Sequence, residues 1–320
     1  MSQGTRPAVS IGLPVYNGAR YLDQAIESIL CQTYDNFELI ICDNASTDDT
    51  GTICQHYAAK DARIRYHRNP CNLGAAANFN RTFALSTGRY FKWAAHDDVL
   101  EPALLEHCVA ALEAHPDAVL SQSLVAMIDQ HGKRRAVYDP RIWGTDRPRQ
   151  SDRFGGRLST SECVEVFGLI RAEALRSGPL IADHIGSDWT LLVDLALRGR
   201  FLIIPEVLFL NREHVDRGSR PGMNLRERHA WYASDRGRQK ASHSWLMLTS
   251  CAQLIRRHVT NPVERLRCYG HLGWWLLLRG RIVRVALEPL LAAHPRLFRL
   301  MFRLRAAAIS TRNHFLGADG

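Results

Sequence analysis

The sequence of 320 residues lacks any apolar run of the length needed to cross a bilayer. Its most apolar aromatic stretch, HLGWWLLLRG, is short and closely flanked by charge. No basic patch followed by an apolar segment stands at the N-terminus, so no secretory signal is predicted. The eight cysteines show no C-x-x-C spacing and no grouping with histidine, which favours a reducing cytoplasm and argues against structural zinc.

The front of the chain also lacks an excess of positive charge and a dinucleotide-binding fingerprint. The first predicted strand is followed by GLPVYNGA, whose spacing differs from G-x-G-x-x-G, so a Rossmann dehydrogenase is disfavoured. The first 220 residues carry 24 Lys and Arg against 27 Asp and Glu, whereas residues 221–320 carry 17 against 5. This contrast predicts chemistry in front and an anionic partner or surface behind.

What the sequence does contain is a regular alternation of strand and helix patterns. The predicted strands, in order, are AVSIGLPV, FELIICD, RIRYH, RYFKWAA, AVLSQSLVAMI and RFLIIPEVLFLNREH. Between them lie helical patterns such as ARYLDQAIESIL and PALLEHCVAALEAH, the latter with Pro102 in its first turn. This order predicts an α/β fold, a mostly parallel sheet flanked by helices, with ligands at the carboxyl ends of the strands.

Two regions depart from that alternation. Residues 139–159 are irregular and contain Arg and Pro, which predicts a long loop. After about residue 222 the periodicity is helical throughout, so a basic helical C-terminal region is predicted for 222–320. In HPRLFRLMFRLRAA, arginines at 296, 299 and 303 share a helix with apolar residues, so this helix could lie on an anionic membrane or pack on the front domain.

Carboxylates at strand ends are the first candidates for chemistry. Asp43 ends the second strand and is placed to accept hydrogen bonds from a base or ribose, whereas Ser46 and Asp49 look like a capping box for the next helix. Asp97 and Asp98 follow the fourth strand. Such a pair suits Mg²⁺ or Mn²⁺ shared with phosphate oxygens, but the same pair could equally cap a helix.

Further candidates stand in the second half of the front domain. Asp188 opens the helix of GSDWTLLVDLALRG, where it is either a simple N-terminal cap or a functional carboxylate. Asp194 lies about 240° further around that helix and is predicted to be a solvated charge. Arg212 and His214 come directly after an apolar strand, although a single histidine is more often structural than a metal ligand.

Taken together, these segments resemble family-2 inverting glycosyltransferases with the GT-A nucleotide-diphospho-sugar fold. The resemblance covers about residues 8–220 and rests on VSIGLPVYNGARYLDQAIESILCQTYDNFELIICDNASTDDT, NLGAAANFNRTFALSTGRYFKWAAHDD, GSDW and NREH. The first of these is highly specific, whereas HDD alone is not. Many relatives carry an acid where this chain has Ala95, which weakens the metal inference. Ser187 replaces the usual acid before Asp188 but leaves the carboxylate thought to act.

The resemblance implies a role for each matching residue. Asp188 would be the catalytic base, Asp98 and His214 would hold Mn²⁺ or Mg²⁺, and Trp189 would contact the acceptor. The nucleotide-sugar would be bound by the remaining positions: Pro14, Tyr16, Asn17, Asp43, Asn72, Gly74, Asn78, Asp97 and Arg212. The catalytic domain would span 1–221, with a nucleotide-sugar half at about 8–130 and an acceptor half at about 131–221.

The implied activity is inverting, metal-dependent transfer of a sugar from a nucleoside-diphosphate sugar, UDP or dTDP favoured, to a hydroxyl of an envelope glycan or glycolipid. The protein would be cytoplasmic, with the basic C-terminal region at an anionic inner membrane face, and would bind no nucleic acid. Two alternatives stay open: a non-catalytic nucleotide- or glycan-binding protein of the same fold, and a sugar nucleotidyltransferase, which would normally show a Gly-rich basic loop after the first strand.

Overall fold

In the computed structural model, residues 6–215, 231–232 and 243–277 can be described. The strands are β1 Val9–Val15, β2 Phe37–Asp43, β3 Ile64–Arg68, β4 Tyr90–Trp93, β5 Val99–Leu100, β6 Ala118–Ile128, β7 Arg134–Tyr138, β8 Leu169–Arg171 and β9 Arg200–Arg212. The helices are α1 Ala19–Leu30, α2 Thr50–Lys60, α3 Ala75–Ala84, α4 Leu104–Ala114, α5 Gln150–Ser159, α6 Ala172–Arg176, α7 Ser187–Arg198, α8 His243–His258 and α9 Pro262–Leu277. The predicted alternation is confirmed.

All of these strands form one sheet in the order β3-β2-β1-β4-β8-β6-β9-β5, with β7 paired to β6. Strands β3, β2, β1 and β4 are parallel, whereas β8 is antiparallel to both β4 and β6. Strand β6 therefore runs in the same direction as β4, and β9 is parallel to β6. The carboxyl ends of β1, β2, β4 and β9 therefore lie at the same edge, where ligands bind in such sheets.

The sheet is buried because helices cover both of its faces. Every residue of β1 and β2 is buried, as the continuous apolar runs predict. One core cluster packs α1 and α4 against the sheet through residues such as Ile26 and Leu105, and a second packs α3 and α7 through Phe83 and Leu192. These two cores hold the strand ends in fixed register.

The predicted long loop at 139–159 is wrong. A short 3-10 helix occupies Pro140–Trp143, and α5 follows. The inward positions of α5 recur at helical spacing, but Arg153 and Arg157 are among them. Arg157 is fully buried beside Glu165, 3.4 Å away, which also accepts a hydrogen bond from Tyr138. Buried arginines interrupt the apolar stripe, so the helix has no apolar periodicity in the sequence.

Three smaller predictions are also corrected. Ser46 does not cap α2, because its hydroxyl accepts the backbone N–H of Asn17 at 2.9 Å and the helix begins only at Thr50. Pro102 lies before α4 rather than in its first turn. Asp194 is fully buried, 2.8 Å from His258 and 3.3 Å from Arg198. Tertiary contacts outside the local pattern account for all three.

The described part of the C-terminal region is helical, as predicted. Helices α8 and α9 share a third core cluster with α5 and α7, which includes Phe154, Val193 and Ile255. The Arg-bearing helix predicted around residues 294–307 lies outside the described residues. None of the described helices combines the length and apolar character that a bilayer crossing requires.

Candidate functional site

The acidic pair stands where β4 and β9 end together. The side-chain amide of Asn211 donates to both carboxylate oxygens of Asp98 at 3.1 Å, and the backbone N–H of Arg212 donates to Asp98 Oδ1 at 2.8 Å. Nε2 of His214 lies 2.9 Å from Asp97 Oδ2. The contact arises because β5, which directly follows Asp98, pairs with β9. The structure thus brings four predicted site residues into direct contact.

The Arg212 side chain is a brace within this cluster. Its Nε donates to the backbone oxygen of Asp97 at 2.8 Å, and Nη2 donates to Gln24 Oε1 at 2.6 Å. The guanidinium also lies over the ring of Tyr21, 4.6 Å from its centroid. Arg212 is almost fully buried, so the predicted direct contact with a nucleotide-sugar does not match its position. We assign it instead to holding Asp97 in place.

The donor atoms around Asp97 suit a divalent cation that also contacts phosphate. The hydrogen bonds that Asp98 accepts orient its carboxylate, as outer partners of metal ligands do. A carboxylate at Nε2 of His214 favours the proton there, and Nδ1 is buried without a hydrogen-bond partner. Within 6–215, 231–232 and 243–277, no three His, Cys, Asp or Glu side chains are placed to hold a metal by themselves. Mg²⁺ at phosphate sites is often held by one or two carboxylates plus the phosphates, so these residues fit it.

His96 lies at the same edge of the sheet, directly before the acidic pair. Burial lowers the pKa of His96, and the negative charge of Asp97 opposes that effect. Its ring packs against Gly18 so closely that a Cβ there would come within 2.5 Å of His96 Cδ2. The glycine of the YNG turn is therefore required by the histidine of HDD, a link between two motifs far apart in sequence.

The second predicted cluster surrounds Asp43 at the end of β2. Its Oδ1 accepts the backbone N–H of Ser46 at 2.8 Å, and its Oδ2 accepts hydrogen bonds from Tyr66 at 2.9 Å and Arg68 at 2.5 Å. Asp43 is fully buried, whereas the Arg68 side chain is 46% exposed. A base could reach Asp43 only by replacing one of these partners. Arg68, which the sequence patterns did not single out, therefore stands at the front of this pocket.

Four asparagines link β2 to the loop before α3. Asn44 donates to Asn72 at 2.8 Å, and Asn69 donates to Asn44 and Asn78, each at 2.9 Å. Asn78 in turn donates to the backbone oxygen of Cys42 at 2.8 Å and is buried. The predicted ligand role of Asn78 is thus at odds with its position, since its amide is used within the protein. Asn72 is exposed and accepts the N–H of Gly74 at 2.9 Å.

The turn after β1 supplies the remaining predicted nucleotide contacts. Pro14 is buried within the strand, whereas Tyr16 is 44% exposed at the strand end. Asn17 has a positive φ of 49° and accepts the N–H of Thr47 at 2.8 Å, which ties this turn to the one after β2. Ala45 also has a positive φ of 62°. Strained residues at adjacent strand ends are typical of ligand sites.

Asp188 stands in the first turn of α7, after Gly186 whose φ of 83° favours glycine. Its Oδ1 accepts the N–H of Trp189 at 2.9 Å. Tyr232 approaches from the C-terminal region, with its hydroxyl 3.1 Å from Ser187 Oγ. Burial raises the pKa of Tyr232, and the charge of Asp188 adds to the shift.

Trp189 does not occupy an acceptor surface. It is 4% exposed, its indole N–H donates to the backbone oxygen of Thr160 at 3.0 Å, and its ring stacks on Trp275 of α9 at 6.2 Å between centroids. This packing leaves little of Trp189 available to an acceptor, and its acceptor role stays a prediction. Asp188 is half-buried at the start of α7, and the next residue on a helix points about 100° away, here into the core.

The comparisons with known proteins bear on this arrangement. The family model of glycosyl transferase family 2 matches residues 10–178, more than half of the chain. EpsE of Bacillus subtilis is 39% identical over 137 residues, which cover 42% of this chain and 49% of EpsE. The Mycobacterium bovis protein Mb1547 is 26% identical over 300 residues, covering 91% of this chain and 82% of that protein. The chain thus spans about half the length of EpsE.

Solved structures resemble the fold at low sequence identity. Staphylococcus aureus TarS 1–349, in complex with UDP, has a TM-score of 0.60 at 15% identity over 85% of this chain and 72% of that one. The mannosyltransferase PcManGT from Pyrobaculum calidifontis, in complex with GDP-Man and Mn²⁺, has a TM-score of 0.53 at 19% identity over 96% and 81%. The structural likenesses show that the chain shares the GT-A fold of these proteins, and the family model shows that it belongs to glycosyl transferase family 2.

Proposed function

We propose that this enzyme transfers a sugar from UDP- or dTDP-sugar to a hydroxyl acceptor with inversion at the anomeric carbon. The observation that carries the proposal is the contact of Asp97, Asp98 and His214 at the sheet edge shared with Asp43. A diphosphate bound there would extend between the nucleoside side at Asp43 and the acidic pair at the end of β4.

The donor assignment draws support from the fold relatives. TarS 1–349 has been solved with UDP-GlcNAc and PcManGT with GDP-Man, so the same fold accommodates both kinds of base in those proteins. In this chain, the Asp43 carboxylate and the adjacent Arg68 guanidinium offer an acceptor and a donor that match a pyrimidine imide edge. Tyr16, exposed at the end of β1, offers a ring on which the base can stack.

The chemical step is a single displacement. The acceptor oxygen forms a bond to the anomeric carbon as the bond from that carbon to the diphosphate oxygen breaks, and the bonding pair leaves with the diphosphate. Asp188 takes the proton of the acceptor hydroxyl, a contribution on the order of 10² to 10⁴ in rate. Attack opposite the leaving group inverts the configuration.

A divalent cation fits beside this step. Asp98, with His214 and Asp97, would hold Mn²⁺ or Mg²⁺, and the ion would neutralise charge on the departing diphosphate. The chain's own residues prepare the site: Asn211 orients Asp98, and Arg212 fixes the backbone of Asp97. The Mn²⁺ in the PcManGT complex supports this assignment by analogy of fold.

The acceptor is proposed to be an envelope glycan or glycolipid, reached by an enzyme that rests on the inner face of the membrane. The imbalance of 17 Lys and Arg against 5 Asp and Glu in residues 221–320 supports an anionic surface as partner.

The test is nucleoside-diphosphate release from a panel of UDP- and dTDP-sugars, with and without EDTA, for the wild type and Asp188→Asn. We expect EDTA to abolish turnover, and Asp188→Asn to lower the rate at least 10²-fold while the donor still raises the thermal midpoint. Exposed Asp183→Asn serves as the matched control. Donor binding without turnover in the wild type would instead indicate a non-catalytic binding protein. Turnover that EDTA does not change would exclude a metal requirement. An unchanged rate in Asp188→Asn would exclude Asp188 as the catalytic base.

A further inference from the structure

Helix α9 carries an apolar surface that faces solvent. Val263, Leu266, Trp274 and Leu277 are 55%, 74%, 63% and 61% exposed. At 100° per residue these four side chains fall within an arc of about 80°, so they form an outer stripe of two apolar pairs with Gly270 between them. Exposed apolar side chains grouped on one face in this way mark an interaction site.

The opposite face of α9 is anchored to the helix that carries the proposed base. Cys268, Leu272 and Trp275 are buried, and Trp275 stacks on Trp189, the residue that follows Asp188. The outer stripe is therefore held rigidly to α7, on the side of α9 away from that contact.

Positive charge accompanies the outer stripe. Arg267 lies next to it on α9, its side chain 47% exposed and paired with Glu264 at 2.7 Å, and Arg256 and Arg257 are exposed at the end of α8. Residues 243–277 contain four arginines and a single acidic residue, Glu264. Exposed tryptophan and leucine beside arginine match the boundary of an anionic bilayer, where amphipathic helices lie flat with their apolar face in the acyl region. A protein partner would need acidic residues placed to face these arginines, whereas the surface of an anionic bilayer carries negative charge at every position.

We infer that the outer stripe of α9 docks the enzyme onto an anionic lipid bilayer, and that the acceptor hydroxyl belongs to a membrane-borne molecule. The first half stands on the stripe and its charges, and the second half rests on the function proposed for Asp188. Because α9 and α7 pack through Trp275 and Trp189, docking holds the start of α7 at a fixed height above the lipid.

The test uses the full chain and sedimentation with vesicles of phosphatidylcholine alone or with 30% phosphatidylglycerol. We expect salt-sensitive binding to the anionic vesicles and at least tenfold weaker partitioning for Leu266→Ser/Trp274→Ser/Leu277→Ser. The matched control is Val137→Ser/Ile142→Ser, which removes apolar side chains 58% and 68% exposed elsewhere. Binding of the stripe variant within twofold of the wild type, or no binding by the wild type, overturns the inference.

A second measurement separates the stripe from the rest of the basic C-terminal region. Brominated lipid should quench wild-type tryptophan fluorescence, and Trp274→Phe should remove most of that quenching without changing the thermal midpoint. Undiminished quenching in Trp274→Phe overturns the inference. Nucleoside-diphosphate release in the absence of vesicles should be unchanged in the stripe variant, so failed docking and failed catalysis are distinguishable.

Discussion

Replacing Asp194 by alanine should loosen the attachment of the C-terminal helices. Asp194 is on α7 and fully buried, and its two oxygens meet His258 of α8 at 2.8 Å and Arg198 at 3.3 Å. Burial lowers the pKa of His258, and the negative charge of Asp194 opposes that shift. Two further polar contacts link α8 to the catalytic domain: Gln150 donates to the backbone oxygen of His258 at 3.1 Å, and Arg257 donates to that of Ser177 at 2.9 Å.

The expected loss follows from what the substitution leaves behind. Hydrogen bonds to a charged group contribute about 1.5 to 3 kcal/mol each, and breaking a buried pair costs about 3 to 5 kcal/mol. Arg198 keeps hydrogen bonds to Ala174 and Ser177 and is partly exposed, which reduces the loss. We therefore expect Asp194→Ala to lower the free energy of unfolding by about 3 kcal/mol.

Urea unfolding at 25 °C, followed by circular dichroism, measures this change, and we expect the midpoint to fall by roughly 1 M. Asp117→Ala is the control, since Asp117 also faces an arginine, Arg200 at 3.3 Å, but its side chain is 61% exposed. That pair should contribute less than about 1 kcal/mol. Equal midpoint shifts for the two variants would refute the claim that Asp194 contributes more to stability than an exposed carboxylate does.

Two further predictions concern buried cations near the site. Burial lowers the pKa of Lys92 from 10.5 to about 8, so the unfolded chain binds a proton that the folded chain lacks between those values. The stability of the wild type relative to Lys92→Met should thus rise by about 3 kcal/mol from pH 8 to 10.5, and a flat difference in denaturant titrations would contradict this. Arg212→Lys keeps the charge but loses the fork that links Asp97 to Gln24, so the Mn²⁺ concentration for half-maximal turnover should rise about tenfold; an unchanged metal titration would remove Arg212 from the site.

The local sequence pattern was sufficient to predict most strands of the sheet. The apolar runs that became β1 and β2 are nearly continuous, and the alternation of strand patterns with amphipathic helices predicts the parallel order. The local pattern did not predict α5, because Arg153 and Arg157 occupy buried positions of this helix. A buried arginine depends on distant partners such as Glu165, which a local pattern does not contain.

The candidate site was also predicted only in part from the sequence. The resemblance to the family was enough to expect Asp97, Asp98, Arg212 and His214 in one site, and the pairing of β5 with β9 brings them into contact. Which of them contacts a ligand depends on distant groups: Gln24 and Asp97 hold Arg212, and Asn69 and Cys42 hold Asn78. Arg68, Asn211 and Tyr232 were missed because a residue type in a loop or strand carries no sign of the partner it will face.

By itself, the sequence determined the family, the α/β order of the elements and the sheet edge at which the candidate site residues gather, because these depend on short-range periodicity and on motifs within a few residues. Only the tertiary structure decided that Trp189 is a packing residue, that Asp194 is a buried anchor and that α9 leaves an apolar stripe exposed. Each of these depends on which helix faces which, and burial is a property of the neighbours a side chain meets rather than of the side chain itself.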